Sequence, residues 1–266
     1  MKIGFLTPYN HLPSFKKFVE SNFECIDISQ KTVPVDYIFS APNYPGCLVT
    51  NKVVEQAGTN KVVSPSTGLN HIIANSVDIT SIKNDKILEE ITSTAEHNLY
   101  LILKLLRNVE PRHQASDLTL GILGHGRLGK MLEKISKPIF KEVKIKDINY
   151  GDTDFFKEVD ILSINIDLTP NNVDFINGEY LKQFTKPIFI SNTSRGEVVD
   201  ENSIMNGLWD KNILGYATDV IKEEHTSKVS ILKVEKHKNL FITPHIGGTA
   251  LEAQEKAYKH VITKIL

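Results

Sequence analysis

Short apolar runs alternate along the chain with segments whose apolar positions recur at helical spacing. Lys2–Leu6, Phe23–Ile28, Tyr37–Ser40 and Lys61–Ser64 read as strands, Pro13–Ser21 as an amphipathic helix and Val53–Ala57 as a short one. Thr92–Arg107 places Ala95, Leu99, Ile102, Leu105 and Leu106 on one stripe, the signature of a helix with one buried face. Ser93 with Glu96 supplies the spacing of a capping box at its start. The polar stretch Asn108–Asp117 reads as a linker between two units. Beyond it the alternation strengthens. Leu118–Leu123, Val143–Ile148, Asp160–Asn165, Pro187–Asn192, Ile213–Val220 and Asn239–Pro244 are predicted strands, and Arg127–Ser136 and Thr249–Leu266 predicted helices. Strand and helix in alternation build a parallel sheet covered on both faces, so the fold class is α/β.

Composition narrows the partners. A net charge of −1 over 266 residues leaves no basic field for nucleic acid or an anionic membrane, so a small neutral or anionic ligand is expected. MKIGFLTPYN has one lysine and a short apolar run broken by Pro8, so no signal peptide is expected, and no apolar run approaches a membrane span. Cys25 and Cys47 are too few for a disulfide scaffold and form no CxxC pair. Reduced thiols, a cytoplasmic location and no bound metal are the expectations.

The predicted strand Leu118–Leu123 runs directly into Gly124-x-Gly126-x-x-Gly129, and a helix follows. In that context the first glycine permits a tight turn, the second lets the backbone approach a pyrophosphate, and the third lets the helix pack close. The loop His125, Arg127 and Leu128 included would then hold phosphates on helix N-terminal amides. Asp147, eighteen positions after Gly129, stands where a carboxylate takes the adenosine ribose hydroxyls. An acid there repels a 2′-phosphate and favours NAD over NADP, with Lys144 and Lys146 as the counterweight. The plainer alternative is a glycine-rich turn with Asp147 as a strand-end cap.

Three later strand ends each carry one polar residue suited to chemistry: Arg195, Glu224 and His245. Ligands of open α/β sheets sit at the carboxyl ends of strands, so residues distant in sequence can converge there. Arginine offers a fork of donors matched to a carboxylate. An imidazole titrating near neutrality can pass a proton to or from a carbonyl oxygen, and a carboxylate can hold its tautomer. Taken singly, each has a bland alternative: a surface histidine, a solvated acidic stretch, a helix-entry turn.

From about Lys61 to Thr249 the chain resembles the D-isomer-specific 2-hydroxyacid dehydrogenases. The likeness rests on SPSTGLNHI (64–72), TAEHNLYLILKLLRN (94–108), GILGHGRLG (121–129), DILSINIDLTP (160–170), ISNTSRGEVVDE (190–201), GYATDVIKEE (215–224) and TPHIGG (243–248), in the family's order. The resemblance implies a Rossmann-type doubly wound parallel sheet as NAD domain (94–246), and a discontinuous flavodoxin-like α/β substrate domain (1–93 and 247–266). It implies a hydride exchanged between NAD(H) and a small D-2-hydroxy or 2-oxo acid, with Arg195 binding substrate, His245 as acid/base and Glu224 as its partner. Ser66, Thr67 and Gly68 would bind the substrate carboxylate. Asp219, Thr193, Ser194 and Gly247 would lie on the nicotinamide side, Asn165 beside the adenine. Homodimers through the cofactor domains are common in the family.

Several positions depart from the family pattern. Ser66 replaces a small residue. His225 stands where a proline usually follows the glutamate. Asn165-Ile166-Asp167 replaces His-x-Pro. Only thirteen positions separate Asp147 from Asp160, where relatives usually place another strand, so a more open adenine pocket and weaker NAD binding are expected. A catalytically weak NAD-binding regulatory or scaffold protein is the rival reading, which the intact Arg195, Glu224 and His245 oppose. Formate oxidation is a third, opposed by Glu224 because related formate enzymes lack the acidic partner. The loops at Thr7–Tyr9 and Asn43–Tyr44 are candidates for choosing the substrate side chain.

Overall fold

The computed structural model describes residues 1–42, 44, 46–224 and 229–266. In chain order the elements are β1 (Lys2–Phe5), α1 (Pro13–Asn22), β2 (Glu24–Asp27), β3 (Tyr37–Phe39), α2 (Asn51–Ala57), β4 (Lys61–Ser64) and β5 (Asp78–Ser81). There follow α3 (Ser93–Asn108), β6 (Thr119–Leu123), α4 (Arg127–Ser136), β7 (Glu142–Lys146), α5 (Phe155–Glu158), β8 (Ile161–Ile164) and α6 (Gly178–Leu181). The last are β9 (Ile188–Asn192), α7 (Glu201–Trp209), β10 (Ile213–Thr218), α8 (Ile231–Val234), β11 (Leu240–Ile242) and α9 (Leu251–Thr263). They divide into two compact units, Met1–Ile91 with Gly248–Leu266, and Thr92–Gly247.

The first unit is a parallel sheet in the order β2-β1-β3-β4-β5, the flavodoxin-like arrangement. The terminal helix α9 belongs to it because its apolar stripe has aromatic partners there. Tyr258 lies edge-on to Phe15 at 5.3 Å and packs on Phe39 at 5.1 Å, and Val261 and Ile262 complete the cluster. Strand β5 reads DITS and sits half out of the core at the sheet edge. Its polar composition gives no strand signal; pairing with β4 makes it one.

The second unit is a six-stranded parallel sheet ordered β11-β10-β9-β8-β6-β7. Alternate residues of a strand face opposite sides. Ile161, Phe189 and Ala217 join α3 and α4 on one face, whereas Leu162, Ile190 and Tyr216 join Phe155, Tyr180, Ile204 and Leu232 of α5–α8 on the other. The chain winds in opposite senses on either side of the β6/β8 boundary, the switch point where ligands of such sheets bind. Asp147 to Asp160 holds only the single turn α5, so β7 is the edge strand among the described residues, with no further strand outside it.

Local differences from the sequence expectations have simple causes. Helix α3 is preceded by Thr92, whose hydroxyl donates to Glu96; Ser93 is already its first, buried residue, and no capping box forms. Leu101 and Asn98 are buried on it while Leu99 is only half-buried, because the face turned to β8 and β9 is rotated from the predicted stripe. Helices α5, α6 and α8 are four residues each, too short to show a helical period, and exist because tertiary packing supplies what propensity does not.

Candidate active site and cofactor loop

Two of the three glycines of the β6–α4 loop have a steric reason. Gly124 has φ +91°, and a Cβ there would lie 2.8 Å from the Asn165 carbonyl carbon at the tip of β8. At Gly129 a Cβ would lie 2.1 Å from the Gly124 carbonyl oxygen, so only glycine lets α4 start against the loop. At Gly126 a Cβ would meet nothing within 4 Å. Gly126 is the N-cap of α4 and makes no side-chain cap of its own, so the chain can come close to a pyrophosphate there.

Asp147 lies just past the end of β7 rather than within it, and its carboxylate accepts the His125 N–H at 2.5 Å and the Ile148 N–H at 2.8 Å. The His125 ring spans from Tyr150 Oη (2.5 Å to Nδ1) to Glu133 Oε2 (2.7 Å from Nε2), pinning the loop to α4. Lys137, with His125, holds the Glu133 carboxyl below its ordinary range. Burial lowers the Arg127 guanidinium pKa, partly offset by Asp167. Leu128 is half-buried beside it. The two lysines that weighed against NAD are engaged elsewhere. Lys144 pairs with Glu158 at 2.6 Å, and the Lys146 ammonium sits 5.0 Å above the Phe156 ring. Asn165 turns its amide into a buried network with Ser163 and Asn98, and presents backbone to Gly124.

The chemistry-bearing end is built from β9, β10 and β11, which are neighbours. Their register aligns Asn192, Thr218 and Ile242 across the sheet. Adjacent strands run about 4.8 Å apart, so the loops that leave them start side by side. Asn192, fully buried, closes the first loop: its Oδ1 accepts Ser194 N–H at 2.9 Å and Ser194 Oγ–H at 2.8 Å, and its Nδ2 donates to Arg195 O at 3.0 Å. Thr193 and Ser194 are buried at this tip, and Arg195 Nη1 donates to the Ser194 carbonyl at 2.6 Å. A Cβ at Gly196 would fall 2.0 Å from the Ile221 carbonyl carbon, so this loop lies directly on the next one.

On that next loop Glu224 Oε1 accepts the Ile221 N–H at 3.0 Å, and Oε2 lies 2.7 Å from Nδ1 of His245. The side chains are 20% and 27% exposed, sheltered yet open on one side. His245 has φ +55°, a conformation non-glycine residues seldom adopt. Asp219 holds it there. The Asp219 carboxylate, 2% exposed, accepts Ile246 N–H (2.9 Å), Gly247 N–H (2.7 Å) and Thr243 Oγ–H (2.5 Å), and His97 Nε2 lies 3.2 Å away. Burial pushes the Asp219 carboxyl pKa up, but His97, Thr243 and the two amides outweigh it and hold the group below its ordinary range.

Of the sequence-derived candidates, Glu224 and His245 are in direct contact, Asp219 and Gly247 are bonded to each other in the His245 turn, and Arg195, Thr193 and Ser194 share the adjoining tip. Ser66, Thr67 and Gly68 follow β4 in the first unit, where Ser66 Oγ donates to Gly68 O at 2.7 Å and lies 3.0 Å from Ser64 Oγ. Asn43 and His225 lie outside the described residues. Asn192, His97 and Thr243 are further members of the site, each in a segment that carries the resemblance; for Asn192 and Thr243 a polar residue at a strand end is the available signal, whereas His97 lies within α3 and has none.

Among the described residues no helix is long and apolar enough to cross a membrane, and no group of three or more His, Cys, Asp or Glu side chains could hold a metal ion. Residues 96–247 match the model of the D-isomer specific 2-hydroxyacid dehydrogenase, NAD binding domain. Glycerate dehydrogenase of Methylorubrum extorquens is 30% identical over 150 residues, 54% of this chain and 48% of that protein, so this alignment spans about half the relative's length. Formate dehydrogenase of Pseudomonas sp. (strain 101) is 25% identical over 291 residues, 91% of this chain and 71% of that one. NAD-dependent formate dehydrogenase from Staphylococcus aureus, solved in complex with NAD, has the same fold: TM-score 0.76 at 23% identity, covering 100% of this chain and 94% of that one. With more than half its length matched by that NAD-binding model, the chain belongs to the D-isomer specific 2-hydroxyacid dehydrogenase family, NAD-dependent oxidoreductases that act on CH–OH donors.

Proposed function

We propose that this chain interconverts a small D-2-hydroxy acid and its 2-oxo acid, with His245 as the acid/base, Glu224 as its partner and Arg195 as the substrate-binding cation. The observation that carries the reading is the 2.7 Å contact between Glu224 Oε2 and His245 Nδ1 on the loops of adjacent strands. Bound NADH supplies the hydride to the substrate carbon, and NAD⁺ accepts it in the reverse direction. Arg195 holds the carboxylate and polarises the carbonyl through its planar fork. With Nδ1–H given to Glu224, the free Nε2 carries the proton that the carbonyl oxygen takes in reduction, and receives it back in oxidation. Glu224 stabilises the charged ring and fixes the neutral one in the Nδ1–H tautomer.

Gly124, His125, Gly126, Arg127, Leu128 and Gly129 form the pyrophosphate cradle, and Asp147 takes the adenosine ribose. Asn165 acts there through its backbone. Thr193, Ser194, Asp219 and Gly247 lie toward the nicotinamide, and Ser66, Thr67 and Gly68 offer backbone amides to a carboxylate. Residues 94–246 are the NAD domain, and 1–93 with 247–266 the substrate domain. The protein is cytoplasmic and a homodimer; the outer face of α3, with Leu99, Tyr100 and Leu103 beside Lys104 and Arg107, is the surface that supports the dimer. Sedimentation of Tyr100→Glu as a monomer checks that assignment.

The direct test is NADH oxidation against a panel of 2-oxo acids, with NAD⁺ reduction by formate as a parallel arm. Turnover of a 2-oxo acid supports the reading. Turnover of formate alone supports the formate chemistry named for two of the relatives. NAD binding without turnover of either supports a regulatory protein.

A further inference from the structure

Glu201 opens α7 and is 4% exposed, yet the reaction described above gives it no part. Its Oε1 accepts the Lys222 N–H at 2.8 Å and its Oε2 accepts the Ser230 hydroxyl at 2.8 Å. These two donors bracket Glu224, one two residues before it and one six after. The Lys222 ammonium is turned away, to Asp174. The nearby Tyr216 phenol, pushed up to about 12 chiefly by burial and a little by this carboxylate, offers no negative charge. A buried carboxylate is costly unless its oxygens are satisfied, so the two bonds to the β10 loop resist being broken. The α7 N-terminus adds a favourable field for the charge. Gly196 presses on the same backbone, its absent Cβ pointing at Ile221 and the Lys222 nitrogen. The Ile221–Lys222 peptide is therefore gripped by Gly196 and by Glu201, and the adjoining Ile221 N–H holds Glu224.

We propose that Glu201 is a positioning residue for the acid–base pair: it fixes the turn at 221–224 so that Glu224 meets Nδ1 of His245. The proposal rests on the assignment of Glu224 and His245 made above. Its test is long-range ¹H–¹⁵N NMR of histidine-labelled protein with NAD⁺ bound, alongside steady-state kinetics. The His245 signal is identified by its loss in His245→Ala. In the parent protein the neutral ring carries its proton on Nδ1. In Glu201→Ala the signal moves toward the Nε2–H form that free imidazole prefers, and kcat falls roughly ten- to a hundredfold while KM for NADH stays within about twofold. Glu201→Gln, which can accept from Lys222 and hand an N–H to the Ser230 oxygen, restores both. Ser230→Ala shifts both readouts the same way by less, and replaces Glu201→Ala if that variant does not fold. A His245 tautomer pattern identical to the parent's in Glu201→Ala, or in Ser230→Ala where that stands in, overturns the proposal whatever happens to Tm. Near-normal turnover in His245→Ala instead overturns the acid/base assignment on which it rests.

Discussion

The glycine loop after β6 and the His245 turn after β11 stand at the carboxyl ends of one sheet, and they are held by opposite means. The glycine loop is shaped by side chains that are missing: Gly124 lies against the Asn165 carbonyl, and Gly129 against the Gly124 carbonyl. The His245 turn is shaped by side chains that are buried and saturated: Asp219 bonds two amides and a hydroxyl, and a left-handed backbone results. The difference follows from what each end must bind. A pyrophosphate is met by backbone amides and needs space near them. A proton transfer needs a side-chain atom placed to within a fraction of an ångström, and that demands supporting hydrogen bonds. One end should reject an added carbon, the other a lost donor or acceptor.

The sharpest test removes the acid itself. His245→Ala is expected to lower kcat about 10³-fold while NAD binding by calorimetry is unchanged; a loss of NAD affinity of similar size would erase the division between the two ends. Next comes a pair within the glycine loop. Gly129→Ala forces a Cβ onto a carbonyl oxygen and is expected to weaken NAD about a hundredfold and lower Tm, at a cost of about 2–3 kcal/mol. Gly126→Ala meets open space, so it should keep Tm and still weaken NAD. Equal thermal stability in both would show that the close approach at Gly129 does not constrain the fold.

At the other end, Asp219→Asn cannot accept every donor aimed at it and should cost about 2 kcal/mol near neutral pH. Because the folded carboxyl pKa is held low, its contribution is present above the unfolded carboxylate value of about 3.9 and is lost as pH falls through the folded one. The gap in Tm between parent and variant should narrow under acid, and a gap independent of pH would remove the ionised form from the argument. The smallest effect is expected at Asp147. Replacing it with alanine should weaken NAD about fivefold and NADP less, since the acid favours ribose hydroxyls over a 2′-phosphate. Equal losses in parallel titrations would take Asp147 out of the ribose site.

The two ends also differed in how far the sequence exposed them. The glycine spacing after a predicted strand announced the loop, because the steric demands at Gly124 and Gly129 admit one residue type. Arg195, Glu224 and His245 were visible as polar residues after apolar runs. The pairings that support them were not: Glu201 reaches Ser230 twenty-nine positions away and Asp219, itself named from the resemblance, reaches Gly247 twenty-eight away, and nothing local marks those contacts. The assignment of α9 to the first unit likewise depended on Tyr258 meeting Phe15, far apart in sequence.

What the sequence determined by itself was therefore the class of fold, the strand order of events along the chain and the residue types available for chemistry, since periodicity and glycine sterics are local properties. Only tertiary structure decided which strands are neighbours, that β7 ends the sheet, and that a glutamate six residues past β10 faces an imidazole three residues past β11. Those facts come from sheet register and from buried hydrogen bonds between distant segments, and such contacts exist only once the chain has folded.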